Sequence, residues 1–289
     1  MKSEFIEDQV AQQGWVNPTE KALDALSDVT VEKWGRRIRN FLHGVWLGHP
    51  LHAASVEVPI GALATTTILD VMGAVQETKR FEPGAKVALN TGLITASFAA
   101  ASGLADWSKS DQPARRVGVL HAALNGTATL CYAASWVLRR RGERKGAVGT
   151  SVAGFLILGL GAYLGGRMVY NHKLGVDHAQ RGGPDGFTPV MPDMELPEGE
   201  PHRVEVEGVG ILLIKQNGRV FAIGEKCSHL GGPLAEGKLE GNTITCPWHG
   251  SKFNIETGKV VEGPAVYAEP CFSVRVQRGQ IEVRLNKKM

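Results

Sequence analysis

The sequence predicts a chain of more than one domain, an all-α four-helix transmembrane bundle followed by a small all-β domain. Three observations predict it. The windows 87–105, 117–138 and 146–166 contain no Asp, Glu, Lys or Arg, in a chain that is 21% charged. Each approaches the ~20 residues that cross a bilayer core as a helix. Beyond residue 200 the apolar pattern changes from long runs to short alternating segments, the signature of strands. Two loops among those segments combine cysteine with histidine.

Composition sets the outer limits. The chain has 289 residues and a formal charge of +3, with 43% hydrophobic residues. At roughly 100–200 residues per domain this suggests two domains. The hydrophobic content excludes a disordered chain, and the small net charge gives no sign of a nucleic-acid partner. Four cysteines are too few for a disulfide scaffold. Glycine, at 36 residues, stands well above the usual ~7%.

Residues 1–50 read as an N-terminal arm. Residues 1–30 are polar and lack the apolar core of a cleavable signal peptide, and Asn17-Pro18 suggests a helix start. The segment 31–42 sets Val31, Trp34, Ile38 and Phe41 on one side and Lys33, Arg36, Arg37 and Arg39 around the other. That pattern suits a helix on a membrane surface or one packed on the bundle.

Residues 51–170 read as the four-helix transmembrane domain. A fourth apolar window, 53–76, contains Glu57 and Asp70, each either a proton-relay group or a buried, paired carboxyl. Helices in lipid approach closely through small residues, and Gly161-Ala-Tyr-Leu-Gly165 and the row Gly118, Ala122, Gly126 supply them. Asp106-Trp107 reads as an interfacial anchor. Four crossings put His43, His49, His52, His121, His172 and His178 on one side of the membrane. His49 or His52, with His121 and His172, are candidates for a b-type haem or a quinone site; helix-capping, headgroup-binding histidines are the alternative. Gly48-His-Pro-Leu-His52 and Val58-Pro-Ile-Gly61, with the helices that follow, resemble an uncharacterised bacterial four-helix membrane domain family.

Residues 171–200 carry Arg181-Gly-Gly-Pro-Asp-Gly186, Pro189, Pro192 and Pro197 and read as a linker. Residues 201–289 read as the β-domain, with strands at 203–207, 211–214, 219–223, 243–245, 272–276 and 280–284. The two loops are Cys227-Ser-His229-Leu-Gly-Gly-Pro233 and Cys246-Pro-Trp-His249-Gly-Ser-Lys-Phe253. Such a donor set also suits tetrahedral zinc, although zinc pairs more often run C-x-x-C and H-x₃₋₅-H.

With the flanks Leu230-Gly231, Gly250-Ser251 and Gly263-Pro264-Ala265, these loops resemble the Rieske 2Fe–2S domain. The resemblance implies a cluster with Cys227 and Cys246 on one iron and His229 and His249 on the other. Neutral imidazole in place of thiolate raises the potential. Respiratory members carry an extra cysteine in each loop, joined as a disulfide; Gly232 and Trp248 stand at those positions. Phe253 stands where those members often have a tyrosine bonded to a cluster cysteine, while Ser251 keeps a hydroxyl near the cofactor. A low potential follows, as in ferredoxins of ring-hydroxylating dioxygenases. Cys131 and Cys271 read as small buried hydrophobes. An oxygenase large subunit would need a further iron site, but the 40 residues after His249 contain no histidine.

The expected activity is therefore that of a membrane-anchored electron carrier, a component rather than a stand-alone enzyme. Its partners would be membrane lipid, a soluble donor such as a reductase, and a redox acceptor at the membrane. A redox-sensing regulatory membrane protein and a quinol-linked oxidoreductase component are the alternatives. Basic residues divide almost evenly between the two sides, with the first helix's N-terminal flank the more basic. The missing disulfide fits a reducing compartment, so the β-domain is expected in the cytoplasm.

Overall fold

Long runs of Ala, Leu and Gly without prolines in their interiors form helices here, and short β-branched runs between turn glycines form strands. The computed structural model describes residues 14–31 and 33–286. The first thirteen residues of the expected arm, Glu32 and the last three residues of the expected β-domain lie outside the described residues. Contacts divide the chain into a helical unit, Met1–Trp34 with Leu51–Leu174, and a second unit, Gly35–Pro50 with Gly175–Met289.

The helical unit contains α1 (Val16–Val29), α3 (Leu51–Ser55), α4 (Glu57–Val75), α5 (Glu82–Ser108), α6 (Ala114–Arg140) and α7 (Arg144–Tyr170); α2 (Arg36–His43) belongs to the second unit. Among the described residues, three stretches are long and apolar enough to cross a membrane: Leu51–Val75, Glu82–Ser108 and Arg144–Tyr170. The fourth expected crossing, α6, is charge-free over 117–138 but falls below them, because its many Ala, Gly, Ser and Thr residues, with His121 and Asn125, replace large apolar side chains.

Small residues and buried polar bonds join these helices. A Cβ at Gly92 would fall 2.5 Å from Leu63, and one at Gly154 3.1 Å from Tyr132. Gly161 and Gly165 of α7 face Asn125 and His121 of α6, whereas nothing approaches Gly126. Tyr132 meets the Thr67 hydroxyl at 2.8 Å and donates to Leu63 O. Asp70 is ion-paired with Arg139 and accepts from Ser151 Oγ at 2.6 Å, which makes it the paired carboxyl; Glu57 is exposed in the first turn of α4. Trp107 is not an outward anchor. It is 5% exposed, lies under the Arg115 guanidinium at 4.1 Å and donates to Arg115 O.

The second unit holds three antiparallel sheets: β1 (Thr188–Pro192), β10 (Gln280–Leu285) and β9 (Phe272–Gln277); β2 (Pro201–Val206), β3 (Val209–Gln216) and β4 (Arg219–Gly224); and β5 (Lys238–Glu240), β6 (Thr243–Thr245), β7 (Lys252–Asn254) and β8 (Val260–Glu262). β3 is buried on both faces. Leu212 and Ile214 enter one core with Ile244 and Phe253, while Ile211 and Leu213 enter another with Phe272 and Ile281. That explains an unbroken apolar run where a half-exposed strand would alternate.

Two expectations change here. The stretch 171–200, read as a linker, contains β1, an edge strand whose pairing with β10 shifts register between Pro189 and Met191; prolines are tolerated at edges and bulges. The arm does not act as one segment. On α2 the side chains turned to the β-strands are polar: Asn40 accepts from Gly263 N–H and donates to Val261 O, both at 3.1 Å, and Arg39 pairs with Glu262. Of the expected apolar face, Val31 is buried and Trp34 half-buried, while Ile38 and Phe41 are exposed.

The Asp70–Arg139 pair sets a test of the helical unit. Asp70→Ala leaves a buried guanidinium without its counter-charge and should cost about 3–5 kcal/mol. Unfolding in detergent should show a clear drop in midpoint; an unchanged midpoint would mean that the pair does not stabilise the bundle.

Candidate metal centre

Two loops of similar construction place the four sequence-predicted ligands. One follows β4 and the other joins β6 to β7. In each, the glycine four residues after the cysteine donates its N–H to the cysteine carbonyl, Gly231 to Cys227 at 2.7 Å and Gly250 to Cys246 at 3.1 Å. Both glycines have left-handed φ, +79° and +76°, a conformation that side chains resist. Each loop is closed again one residue away: Cys227 N–H donates to Gly232 O at 2.9 Å, and Cys246 N–H to Ser251 O at 2.8 Å.

The loops meet so that like donors pair. The Cys227 and Cys246 thiols are in hydrogen-bond contact, 1% and 2% exposed. The His229 and His249 rings lie 5.0 Å apart at 78° and are half-buried. Each pair draws one member from each loop. The thiol contact and burial push Cys227 up. The same contact, with the backbone N–H groups of Trp248 and His249, holds Cys246 down at about 7. A paired set of two thiols and two imidazoles, with amides aimed at sulfur, fits a 2Fe–2S centre of mixed ligation.

Trp248 and Gly232 face each other across the loops: a Cβ at Gly232 would lie 3.0 Å from the indole and 2.9 Å from Cys246 Sγ. All four cysteines are free thiols. Ser251 is fully buried and accepts the Ala265 N–H at 3.0 Å, which ties the second loop to Gly263-Pro264-Ala265 and leaves its own proton to donate. Phe253 is fully buried in the core that contains both cysteines.

Glu269, which the sequence reading passed over, sits beneath the first loop. Its Oε1 accepts the Ser228 N–H at 2.6 Å, and among the described residues its Oε2 is buried without a partner. Burial pushes this carboxyl up to about 8. A lone Glu in a strand-rich stretch carries no sequence signal of that burial. The other predicted histidines separate. His52 and His121 come together, with ring centres 6.3 Å apart. His172 follows α7 in the helical unit, and His49 is exposed in the second unit, against its neighbour's carbonyl, Pro50 O, at 3.1 Å.

Residues 48–178 match the family described as a predicted membrane protein, DUF2231, and residues 186–274 match the Rieske 2Fe-2S domain. The 3-phenylpropionate/cinnamic acid dioxygenase ferredoxin subunit of Escherichia coli is 36% identical over 97 residues, 33% of this chain and 91% of that subunit. Apoptosis-inducing factor 3 of Homo sapiens is 37% identical over 94 residues, 32% of this chain; the chain spans 16% of that protein's length. Among solved structures, the ferredoxin of carbazole 1,9a-dioxygenase from Nocardioides aromaticivorans is 26% identical, with TM-score 0.34, covering 35% of this chain and 98% of that one.

Glu269 gives the centre a pH signature. Between its ordinary 4.5 and about 8, the folded chain keeps a proton that the unfolded chain has lost, so this group's contribution to stability falls as pH rises through that window. Glu269→Gln keeps an acceptor for Ser228. It should raise Tm by several degrees above pH about 8 and change it little below pH 4.5; an equal shift at both ends would overturn this assignment.

Proposed function

This chain belongs to the Rieske 2Fe–2S family, and from that we propose that it is a membrane-anchored electron carrier, passing single electrons between a soluble donor, such as a reductase, and a membrane-associated acceptor. The observation that carries this reading is the pairing of the two thiols and the two imidazoles across the loops, with the imidazole pair at the half-exposed end. Cys227 and Cys246 would hold one iron, and His229 and His249 the other. When bound, the cluster supplies reversible one-electron storage near the protein surface.

The chain's own residues do the rest. Burial of Cys227 and Cys246 keeps water from the sulfur end. The backbone N–H groups at Trp248 and His249 and the Ser251 hydroxyl bias the centre toward the reduced form, since hydrogen bonds to sulfur raise the potential. Phe253 withholds the further bond a tyrosine would give. The half-exposed histidines and Trp248 form the end where a partner can approach. The E. coli relative's description as a dioxygenase ferredoxin subunit supports a donor–acceptor role of this kind, and the DUF2231 match and the three apolar helices support the anchor.

Anaerobic purification should give the EPR signal of a reduced, histidine-ligated 2Fe–2S cluster, lost in Cys246→Ser, with a midpoint below zero millivolts. Phe253→Tyr should move the midpoint upward. A parent midpoint well above zero would remove the low-potential assignment.

We place the Rieske domain on the cytoplasmic side, on the basic flank of the first helix, the four expected crossings that return the chain to that side, and Gly232 and Trp248 in place of the bridging cysteines. With cysteines introduced as Arg80→Cys and Glu200→Cys, an impermeant maleimide applied to intact cells should label residue 80 and not residue 200. The reverse pattern would place the domain outside.

A further inference from the structure

His52 and His121 have a geometry that helix packing alone does not ask for. His52 Nδ1 lies 2.8 Å from Ala99 O, and His121 Nδ1 lies 2.9 Å from Gly161 O. A carbonyl can only accept, so each Nδ1 carries the proton and each Nε2 keeps its lone pair. This is the arrangement of metal-binding histidines, whose second nitrogen is fixed by a backbone acceptor. Each ring also occupies a space left by a glycine on a neighbouring helix. A Cβ at Gly103 would come within 2.8 Å of the His52 ring, and one at Gly165 within 3.0 Å of the His121 ring. Asn125 Nδ2 is 3.3 Å from both nitrogens of His121, but its shorter bond is the one it donates to the His121 carbonyl at 2.7 Å.

We propose that His52 and His121 are the two axial ligands of a haem iron within the helical unit. The ring centres are 6.3 Å apart with planes at 84°. Two imidazoles on opposite sides of one metal, with bonds of about 2.0 Å, hold their centres about 6 Å apart at any mutual rotation. The donor count selects the cofactor. His52 and His121 supply two donors, and a bare zinc takes four ligands. A haem brings its own equatorial nitrogens and takes axial histidine. Two imidazoles among apolar helices also match the rule that ionisable groups at membrane depth mark function.

The site rests on the membrane-domain reading and is independent of the cluster, so one sample tests both. The full chain is produced in haem-replete cells, purified in detergent and examined by optical and EPR spectroscopy. One haem per chain is expected, with a Soret band, sharp reduced bands and a low-spin ferric signal. His52→Ala and His121→Ala should each abolish the low-spin signal while keeping the helical circular dichroism of the parent, and His172→Ala should leave it unchanged. A chain that shows the cluster signal but no Soret band overturns the proposal, as does low-spin haem surviving in both alanine variants. A Soret band without a cluster signal would leave this site standing and remove the electron-carrier function.

Discussion

The candidate metal centre depends on one constraint: two separate loops must deliver their donors in pairs, sulfur to sulfur and imidazole to imidazole. Neither loop can do this alone, since each carries one of each. The left-handed glycines at 231 and 250 make it possible by turning each chain back onto its own cysteine. Ser251 then fastens the second loop to Ala265, and Glu269 fastens the first through Ser228. β3, buried on both faces, supplies the core against which both cysteines are seated.

The helical unit answers a different demand. Apolar windows in a low-dielectric setting cannot leave polar atoms unsatisfied, and its buried Thr, Ser and Tyr side chains find backbone or hydroxyl partners on their own or neighbouring helices. Several of its glycines are contact points: Leu63, Tyr132, Trp107 and the imidazoles of His52 and His121 each lie against one. The glycine excess thus has two physical sources, side-chain-sized spaces between helices and sharp turns around the metal loops.

Much of this was legible in the sequence. Charge exclusion marked the long helices, alternation marked the strands β2, β4, β9 and β10, and a short apolar run marked β3. The mixed Cys/His loops marked the centre, because a ligand set at short spacing is local information. Of the three-residue strands, β6 was legible from its β-branched Thr-Ile-Thr, while β5, β7 and β8, with Lys, Glu or Asn among so few residues, escaped, and prolines concealed β1. The arm was legible only in part. Its apolar positions could be read, and Val31 among them is buried, but α2 is also held through Arg39, Asn40 and the buried His43, contacts that depend on a distant loop and leave no periodic trace. Glu269 and the pairing of His52 with His121 are likewise products of tertiary structure.

Trp248 rests on Gly232 across the two loops. Where two sulfurs would join the loops by a covalent bond, an indole meets a bare backbone by contact alone. That closure has no thiol to oxidise and no bond to reduce, so the link between the two loops is indifferent to the redox poise of its surroundings.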